Sequence, residues 1–443
     1  MKKRVLILDS PKFIGKKIKV AGWVFSRRDH GKLIFLDLKD RSGILQMVIL
    51  PQKLKNERKI KKIKEGWIIE AIGEIKKRPK ANINPEIETG EVEMEVEKIE
   101  IIAKPTGKLP FEVGKKEPKL KLETLFKYRP LSLRLERQRA IFKVFETVIQ
   151  SYAEVMRKMG FVEIKSPKII GAASEGGANF FTLDYFGKKA YLAQSPQFYK
   201  QICVGAFERV FEIGPVFRKE PHFTTRHLNE YISLDAEMGF ISGMEEIMDT
   251  LEKAIKYIFK QIEKKNKKEL DYFSAKLPDL SKKIPRIKLQ EIKKIIKEKY
   301  GYKIPEDTDI DPEGERLAGK YAKEKWGSEF IFLTHYPTSK RPFYTMPDPK
   351  NPEETLGFDL LFRGLEIVTG SQRIHDYKML KENIKKWGLD PKDFSFYLQA
   401  FKYGMPPHGG WAIGAERVVY KLLGLSSVKE ASLFPRDVKR LVP

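Results

Sequence analysis

Between residues 17 and 103 short apolar-rich runs are separated by polar turn residues. KIKVAGWVF, KLIFLDLKD, ILQMVIL, WIIEAIGEI and EVEMEVEKIEIIA read as short strands. DRSG and KKRPKANINPEIETG supply turn residues between them, and a helix is expected near Leu54 to Lys64. Five short strands in this span predict a small barrel of the OB type; strand count alone leaves an SH3-like barrel open.

Residues 104–127, which include KPTGKLPFEVGKKEPKLK, are rich in Lys, Pro and Gly and read as a hinge. From residue 128 to 443 the pattern lengthens. QRAIFKVFETVIQSYAEVMRKMG and GMEEIMDTLEKAIKYIFKQIEKKNKK carry helical periodicity, the first ending at Gly160. Strands lie among these helices without regular βαβ alternation, which predicts an α+β domain on a largely antiparallel sheet. The expected organisation is therefore a barrel over 1–103, a hinge over 104–127 and a larger domain over 128–443.

Charge changes the picture next. The chain has 443 residues, and its 85 Lys and Arg against 60 Asp and Glu leave a net charge of +25, a balance that suits a polyanionic partner. Its single cysteine, Cys203, sits in the apolar run QICVGAF, which excludes a disulfide framework and a Cys-based zinc site and marks the residue as core. MKKRVLILDSPKF lacks the features of a signal peptide, and no apolar run of about 18 residues offers a membrane span, so a cytoplasmic protein is expected.

Three segments carry chemistry. In FRKEPHFTTRHLNEYISLDAEM, Arg218 and Arg226 flank a polar loop between RVFEIGPVF and a strand whose faces divide cleanly: Ile232, Leu234, Ala236 and Met238 on one, Ser233, Asp235 and Glu237 on the other. Guanidinium forks suit phosphate oxygens. In DLLFRGLEI, Arg363 and Gly364 form a two-residue turn that puts Leu361 opposite Glu366, with Asp359 diagonally adjacent. Carboxylates with Cβ atoms roughly 5 to 8 Å apart can share a hard cation, nucleotide-bound Mg2+ being the natural candidate. In YGMPPHGGWAIGAERVVYKLLGL, Gly409, Gly410 and Gly414 permit close backbone approach, and Arg417 is aimed by the start of a helix. GERLAGK at 314–320 has the spacing of a phosphate-binding loop, but Tyr321 stands where Ser or Thr is needed and no strand precedes it; it reads as helix.

Together these segments resemble the three motifs of class II aminoacyl-tRNA synthetases, with GFVEIKSPKI and its Pro167 as motif 1. The wording is nearest to aspartyl-tRNA synthetases, as in SEGGANFF, QSPQFYKQ, SQRIHD and LFPRD, and the resemblance covers nearly the whole chain. It implies that an N-terminal OB-fold reads the anticodon and that the larger domain forms aspartyl-adenylate from L-aspartate and ATP before transfer to tRNA(Asp). By the same resemblance Arg218 holds the α-phosphate and Arg417 the γ-phosphate. Glu220, Arg226, His227, Leu228, Tyr231, Glu366 and Gly414 complete the ATP site, and Asp359 and Glu366 bind Mg2+. Lys200 and Arg373 meet the substrate's side-chain carboxylate, which needs desolvated cations because a buried unpaired charge is costly. Glu175 and Asp235 face its α-amino group, and Gln197 completes that site. His222, His227, His375 and His408 are binding or structural groups, since no side-chain nucleophile is required. Motif 1 implies a homodimer.

In the barrel, Phe35 matches an aromatic that stacks on an anticodon base, Gln46 and Glu93 match residues that bond base edges, and Arg28 and His30 join them. RRDHGKLIF resembles bacterial relatives while the catalytic segments resemble archaeal ones. His30 accompanies relaxed specificity in bacterial relatives, which implies charging of tRNA(Asn) as well, with an amidotransferase converting the product to Asn-tRNA(Asn). Lys200-Gln201, where the asparaginyl branch has Leu-Glu, favours aspartate. An asparaginyl enzyme and a tRNA-binding paralogue without ligase activity are the rivals, although Arg218, Arg417, Asp359 and Glu366 are all present.

Overall fold

The computed structural model describes residues 3–114, 119–172, 180–221, 224–306 and 308–442. Its contacts divide the chain into two compact units, residues 1–136 and 137–443.

In the first unit, β1 (Lys17–Asp29), β2 (Ile34–Lys39), β3 (Ile44–Ile49), β4 (Ile68–Lys77) and β5 (Val92–Ala103) close into a barrel in the order β1-β2-β3-β5-β4. Along these strands inward and outward positions alternate. Ile18, Val20, Leu36, Leu38, Leu45, Met47, Ile69 and Met94 point inward and are almost fully buried, while their neighbours face out. Closure pairs β3 with β5 in parallel, Met47 opposite Met94, and a short helix at Glu57–Ile60 lies between β3 and β4. This is the OB arrangement rather than the SH3-like one.

The second unit is α+β. Its strands are β6 (Val162–Glu163), β7 (Ile169–Ile170), β8 (Thr182–Tyr185), β9 (Lys188–Leu192), β10 (Arg209–Phe217), β11 (Glu230–Gly239), β12 (Arg286–Lys288), β13 (Phe330–Thr334), β14 (Pro347–Asp348), β15 (Asn351–Thr355), β16 (Gly357–Phe362), β17 (Leu365–Gln372) and β18 (His408–Gly414). Eight of them form one sheet, β12-β13-β16-β17-β18-β11-β10-β6, with smaller sheets β7-β9-β8 and β14-β15. The large sheet is antiparallel except at its two ends, where β12 pairs with β13 and β6 with β10 in parallel.

One face of this sheet is apolar. Leu234, Ala236, Met238, Phe332, Phe358, Leu360, Val368 and Trp411 bury themselves against the helices Glu136–Lys158 and Met244–Lys265, whose own stripes include Val144, Val148, Tyr152, Ile247, Leu251 and Ile255. The division of β11 into two faces therefore assigns its polar residues to the opposite side. Ser233, Asp235 and Glu237 are nevertheless buried too, at 4%, 1% and 0% exposure, so their charges must be met inside the protein.

Two local features set the geometry of that polar side. At the end of β16 the chain reverses through Arg363 and Gly364, both left-handed (φ 49 and 68), the turn that matches strand twist best. Leu361 faces Glu366 as expected, but a bulge between Leu360 and Leu361 shifts the register, so that Asp359 pairs with Thr369. The diagonal adjacency of Asp359 to Glu366 inferred from an unbroken ladder is thus corrected: the extra residue, Ile367, separates them by one further position along β17. On β18, a Cβ at Gly410 would lie 2.0 Å from the Ala236 carbonyl oxygen and one at Gly409 2.7 Å from the Ser371 carbonyl oxygen, so both must be glycine. At Gly414 a Cβ would meet only the Arg417 side chain at 3.7 Å, ordinary contact, and close approach is not the reason for that residue.

Candidate active site and RNA-facing surface

The strands β17, β18 and β11 lie side by side, and above their polar face are two cavities. The first is reached from the loop between β10 and β11. Arg218, Glu220, Arg226, His227, Leu228 and Tyr231 line it from that loop, Glu366 from β17, and Gly414 and Arg417 from the β18–helix junction. Every residue expected at the ATP site is therefore brought together. Arg417 donates to the Glu366 carbonyl at 2.8 Å and lies 3.3 Å from its carboxylate. His227 Nδ1 lies 2.7 Å from the Thr224 hydroxyl, and its pKa is held below the ordinary range by burial and by Arg417. His222 lies outside the described residues.

The two acids still feel each other's charge despite the shifted register. Burial in the site, together with the charge of Asp359, raises the pKa of Glu366 against the pull of Arg417. Asp359 is 6% exposed; its Oδ2 accepts from Arg341 at 2.7 Å, and its buried Oδ1 makes no hydrogen bond. A buried carboxylate oxygen without a donor, beside a second carboxylate, fits a hard cation with oxygen ligands. Among the described residues no group of three or more His, Cys, Asp or Glu is arranged to hold a metal, so a cation here would complete its shell with phosphate or water oxygens.

The second cavity, of about 290 Å3, extends over Gln197, Lys200, Asp235, Ser371 and Arg373. Lys200 and Arg373 are 1% and 5% exposed. Neither cation waits unpaired. Lys200 Nζ is 3.0 Å from Asp235, 3.4 Å from Glu237 and 3.1 Å from the Trp411 carbonyl, and Arg373 forms a two-pronged pair with Glu237 at 2.8 and 3.2 Å. Both cations are desolvated, and Glu237 is the built-in counter-charge between them. Glu175 lies outside the described residues.

Arg218, Tyr231, Ser233, Thr369 and Ala412 line both cavities. The two spaces thus meet at one arginine. A molecule with phosphates in the first and a molecule with carboxylates in the second would be apposed there.

Several residues of this site were not singled out from sequence. Glu237 stood in the polar face of β11 but drew no role. Arg341, which pairs with Asp359 and stacks on Tyr336 at 3.7 Å, comes from a loop without a motif. Glu416, beside Arg417, accepts the Ile232 N–H with both oxygens at 3.1 Å and is pushed up to about 8 by burial. His408 is structural: its Nδ1 lies 2.9 Å from the Pro406 carbonyl oxygen and so donates, leaving Nε2 to accept from Gln201 at 2.8 Å, and burial pushes its pKa down to about 4. Cys203 is partly buried, and burial raises its thiol pKa, which suits a packing role.

On the barrel, Arg28, His30, Phe35, Gln46 and Glu93 also converge. Register sets Arg28 opposite Phe35. The guanidinium lies 5.7 Å from the ring centroid, with His30 edge-on at 5.6 Å. Arg28 donates to Gln46 Oε1 at 2.8 Å, and Gln46 Nε2 donates to Glu93 at 2.9 Å. Phe35 is only partly buried and belongs to the outer surface of β2 rather than to the barrel core. An aromatic platform with a guanidinium and fixed polar groups beside it can stack one base and bond its edge.

Comparison with known proteins gives a family for each part of the chain. Residues 121–438 match the family model of tRNA synthetases class II (D, K and N), and residues 18–102 match that of the OB-fold nucleic acid binding domain. The chain is 44% identical to the aspartate–tRNA(Asp/Asn) ligase of Deinococcus radiodurans, over all of this chain and 99% of the relative. It is also 44% identical to the aspartate–tRNA(Asp) ligase of Pyrococcus abyssi, over 97% of each. Among solved structures, asparaginyl-tRNA synthetase from Pyrococcus horikoshii complexed with asparaginyl-adenylate superposes with a TM-score of 0.91 at 33% identity, covering both chains fully. With residues 121–438 matched to that family model and relatives 44% identical along almost the whole chain, the chain belongs to the class II tRNA synthetases of the D, K and N group.

Proposed function

We propose that the protein is an aspartate–tRNA ligase that charges both tRNA(Asp) and tRNA(Asn). The observation that carries the chemistry is the meeting of two cavities at Arg218, one rimmed by Arg226 and Arg417, the other floored by the buried cations Lys200 and Arg373. The first suits a triphosphate; the second suits an amino acid with a carboxylate on its side chain. Asp235, with Glu175, takes the α-amino group, Gln197 borders it, and Tyr231 stacks on adenine with Leu228 and Gly414 beside it.

Aspartate's α-carboxylate oxygen then attacks the α-phosphorus. A new O–P bond forms as the bond to the bridging oxygen breaks, and pyrophosphate leaves with the electron pair. The 3′-terminal hydroxyl of tRNA next attacks the activated carbonyl and releases AMP. Arg218 stabilises charge developing at the α-phosphoryl group, Arg417 and Arg226 orient the distal phosphates, and Glu220 and His227 border the nucleotide. Mg2+ held by Asp359 and Glu366 would neutralise phosphate charge. No side chain needs to act as a nucleophile.

On this reading residues 1–103 bind the anticodon, 104–127 connect, and 128–443 carry catalysis, with the enzyme working as a homodimer through motif 1. It acts in the cytoplasm; among the described residues no helix is long and apolar enough to cross a membrane. The relaxed specificity rests on His30 and on the likeness to Asp/Asn ligases, against which stand Asp-only relatives of equal identity. An amidotransferase would complete Asn-tRNA(Asn).

Charging of purified tRNA(Asp) and tRNA(Asn) with labelled aspartate tests the proposal. Comparable charging of both is expected at matched salt, since phosphate contacts make binding salt-sensitive. Charging of tRNA(Asp) alone overturns the relaxed specificity; exchange of pyrophosphate driven by asparagine instead of aspartate moves the chain to the asparaginyl branch. A second expectation concerns the barrel. Phe35→Ala should weaken tRNA binding by about 1 to 3 kcal/mol while leaving tRNA-independent ATP–pyrophosphate exchange unchanged; filter binding and exchange assays on one preparation separate the two effects.

A further inference from the structure

Glu315 occupies a place that the reaction outlined above leaves without a task. It lies in the first turn of the helix Pro312–Trp326, inside GERLAGK, and is 7% exposed. Its carboxylate is engaged by two elements. The guanidinium of Arg226 donates to it from the loop between β10 and β11, and the Glu366 N–H donates to it from β17 at 3.1 Å. One side chain therefore ties the loop that carries Arg226 to the strand that carries Glu366. Glu315 itself is not among the residues lining the nucleotide cavity, whereas both of its partners are.

The backbone around it is built to the same end. A Cβ at Gly319 would stand 2.6 Å from the Gly364 nitrogen, and a Cβ at Gly364 would stand 2.8 Å from the Arg316 Cα. Helix and hairpin turn meet backbone to backbone, where no flexible side-chain end can give way. At the helix start, Asp311 Oδ1 accepts the Gly314 N–H at 2.9 Å and fixes the first turn, hence the origin of Glu315. The spacing that imitates a phosphate loop is thus, in part, the imprint of a helix seated against the hairpin that bears the metal-binding acids.

We propose that Glu315 is a positioning residue for the nucleotide, holding Arg226 against the cavity and β17 in register so that arginine and metal ligands present one fixed geometry to the phosphates. This rests on the ATP roles of Arg226 and Glu366 proposed above. The group acts through its two partners, as second-layer contacts do for metal and phosphate ligands.

ATP–pyrophosphate exchange by the full-length enzyme tests it, with the KM values for ATP and aspartate and the half-saturating Mg2+ concentration measured separately. Glu315→Ala is expected to raise the KM for ATP and the Mg2+ requirement about 10- to 100-fold, the usual scale for removing such a partner, and to move the KM for aspartate by less than about threefold. Glu315→Gln keeps an acceptor for the Glu366 N–H but loses the charge that holds Arg226, so it should fall between wild type and Ala. Gly319→Ala, which drives the helix off the turn, should raise the KM for ATP in the same sense. Arg316→Ala removes an exposed neighbour that pairs with Glu313 on the same helix and should change neither KM. A residue that only stabilised the fold would lower the active fraction and hence kcat, leaving both KM values alone. That result in a folded Glu315→Gln enzyme overturns the proposal, as does an equal rise in both KM values. Arg226→Ala separates the layers: a raised KM for ATP there with the Glu315 variants unaltered overturns this proposal alone, whereas an unaltered value there overturns it together with the reading of the nucleotide site.

Discussion

Replacing Arg218 by alanine should lower kcat/KM for aspartate-dependent ATP–pyrophosphate exchange by about 10^2- to 10^3-fold, the scale on which one donor aimed at developing charge is worth 3 to 4 kcal/mol. The size follows from position. Arg218 lines both cavities, so its guanidinium sits where phosphate and carboxylate would be joined. Arg417 and Arg226 border only the nucleotide side, and Lys200 and Arg373 only the other. Arg218→Lys should recover part of the loss, because the charge remains while the planar fork that spans two oxygens does not. Since Arg218 is partly exposed, the unfolding midpoint of Arg218→Ala should match wild type. A loss of less than about threefold would place the reacting groups elsewhere.

The second large effect is on stability. Glu237 is fully buried between Lys200 and Arg373, and removing one partner from a buried charge network leaves the others uncompensated. Glu237→Gln should reduce the unfolding free energy by about 3 to 5 kcal/mol, measured by urea denaturation at neutral pH. The same network fixes a pH dependence. Burial alone would raise the Glu237 pKa, but Arg373 and Lys200 outweigh it, and the folded value lies below the ordinary one. The unfolded chain therefore binds a proton at higher pH than the folded one. The Glu237 contribution is fully present above the ordinary glutamate range near pH 4.5 and is lost as pH falls through the folded value. Glu237→Gln should accordingly flatten the acid limb of the stability profile. An acid limb identical to wild type would assign that limb to other carboxylates.

Much of this was legible in the sequence because it depended on short-range pattern. The short apolar runs of β1 to β5, the two faces of β11, the close-packed Gly409 and Gly410 of β18 and the turn at Arg363 and Gly364 are local statements, and the structure follows them; Gly414 is the exception. The resemblance to class II synthetases supplied many of the residues that line the two cavities, though not Arg341 or Glu416. What sequence withheld was of another kind. The bulge at Leu360 and Leu361 is one residue in a ladder whose partner strand must be known before it can be counted. Arg341 reaches Asp359 from a loop with no periodicity, and Glu237 becomes a counter-ion only when β11, β17 and the helix Gln197–Phe207 are brought together in three dimensions. GERLAGK is the sharpest case: dismissing it as a phosphate loop was correct, yet its glycines and Glu315 mattered for a reason visible only once Gly364 lay against Gly319.

The adjacency of β11, β17 and β18 also bears on how the protein comes into being. These strands are neighbours in the sheet although long stretches of chain separate them in sequence, and Arg417 follows the last of them. During synthesis the ribosome must deliver nearly the whole polypeptide before the floor of the two cavities can assemble, and such distant pairings close slowly. The barrel, by contrast, has all five strands by residue 103 and can fold while the remainder is still being translated. A truncated or stalled chain would accordingly present an RNA-facing surface with no means of activating an amino acid: able to occupy tRNA, and silent as a ligase.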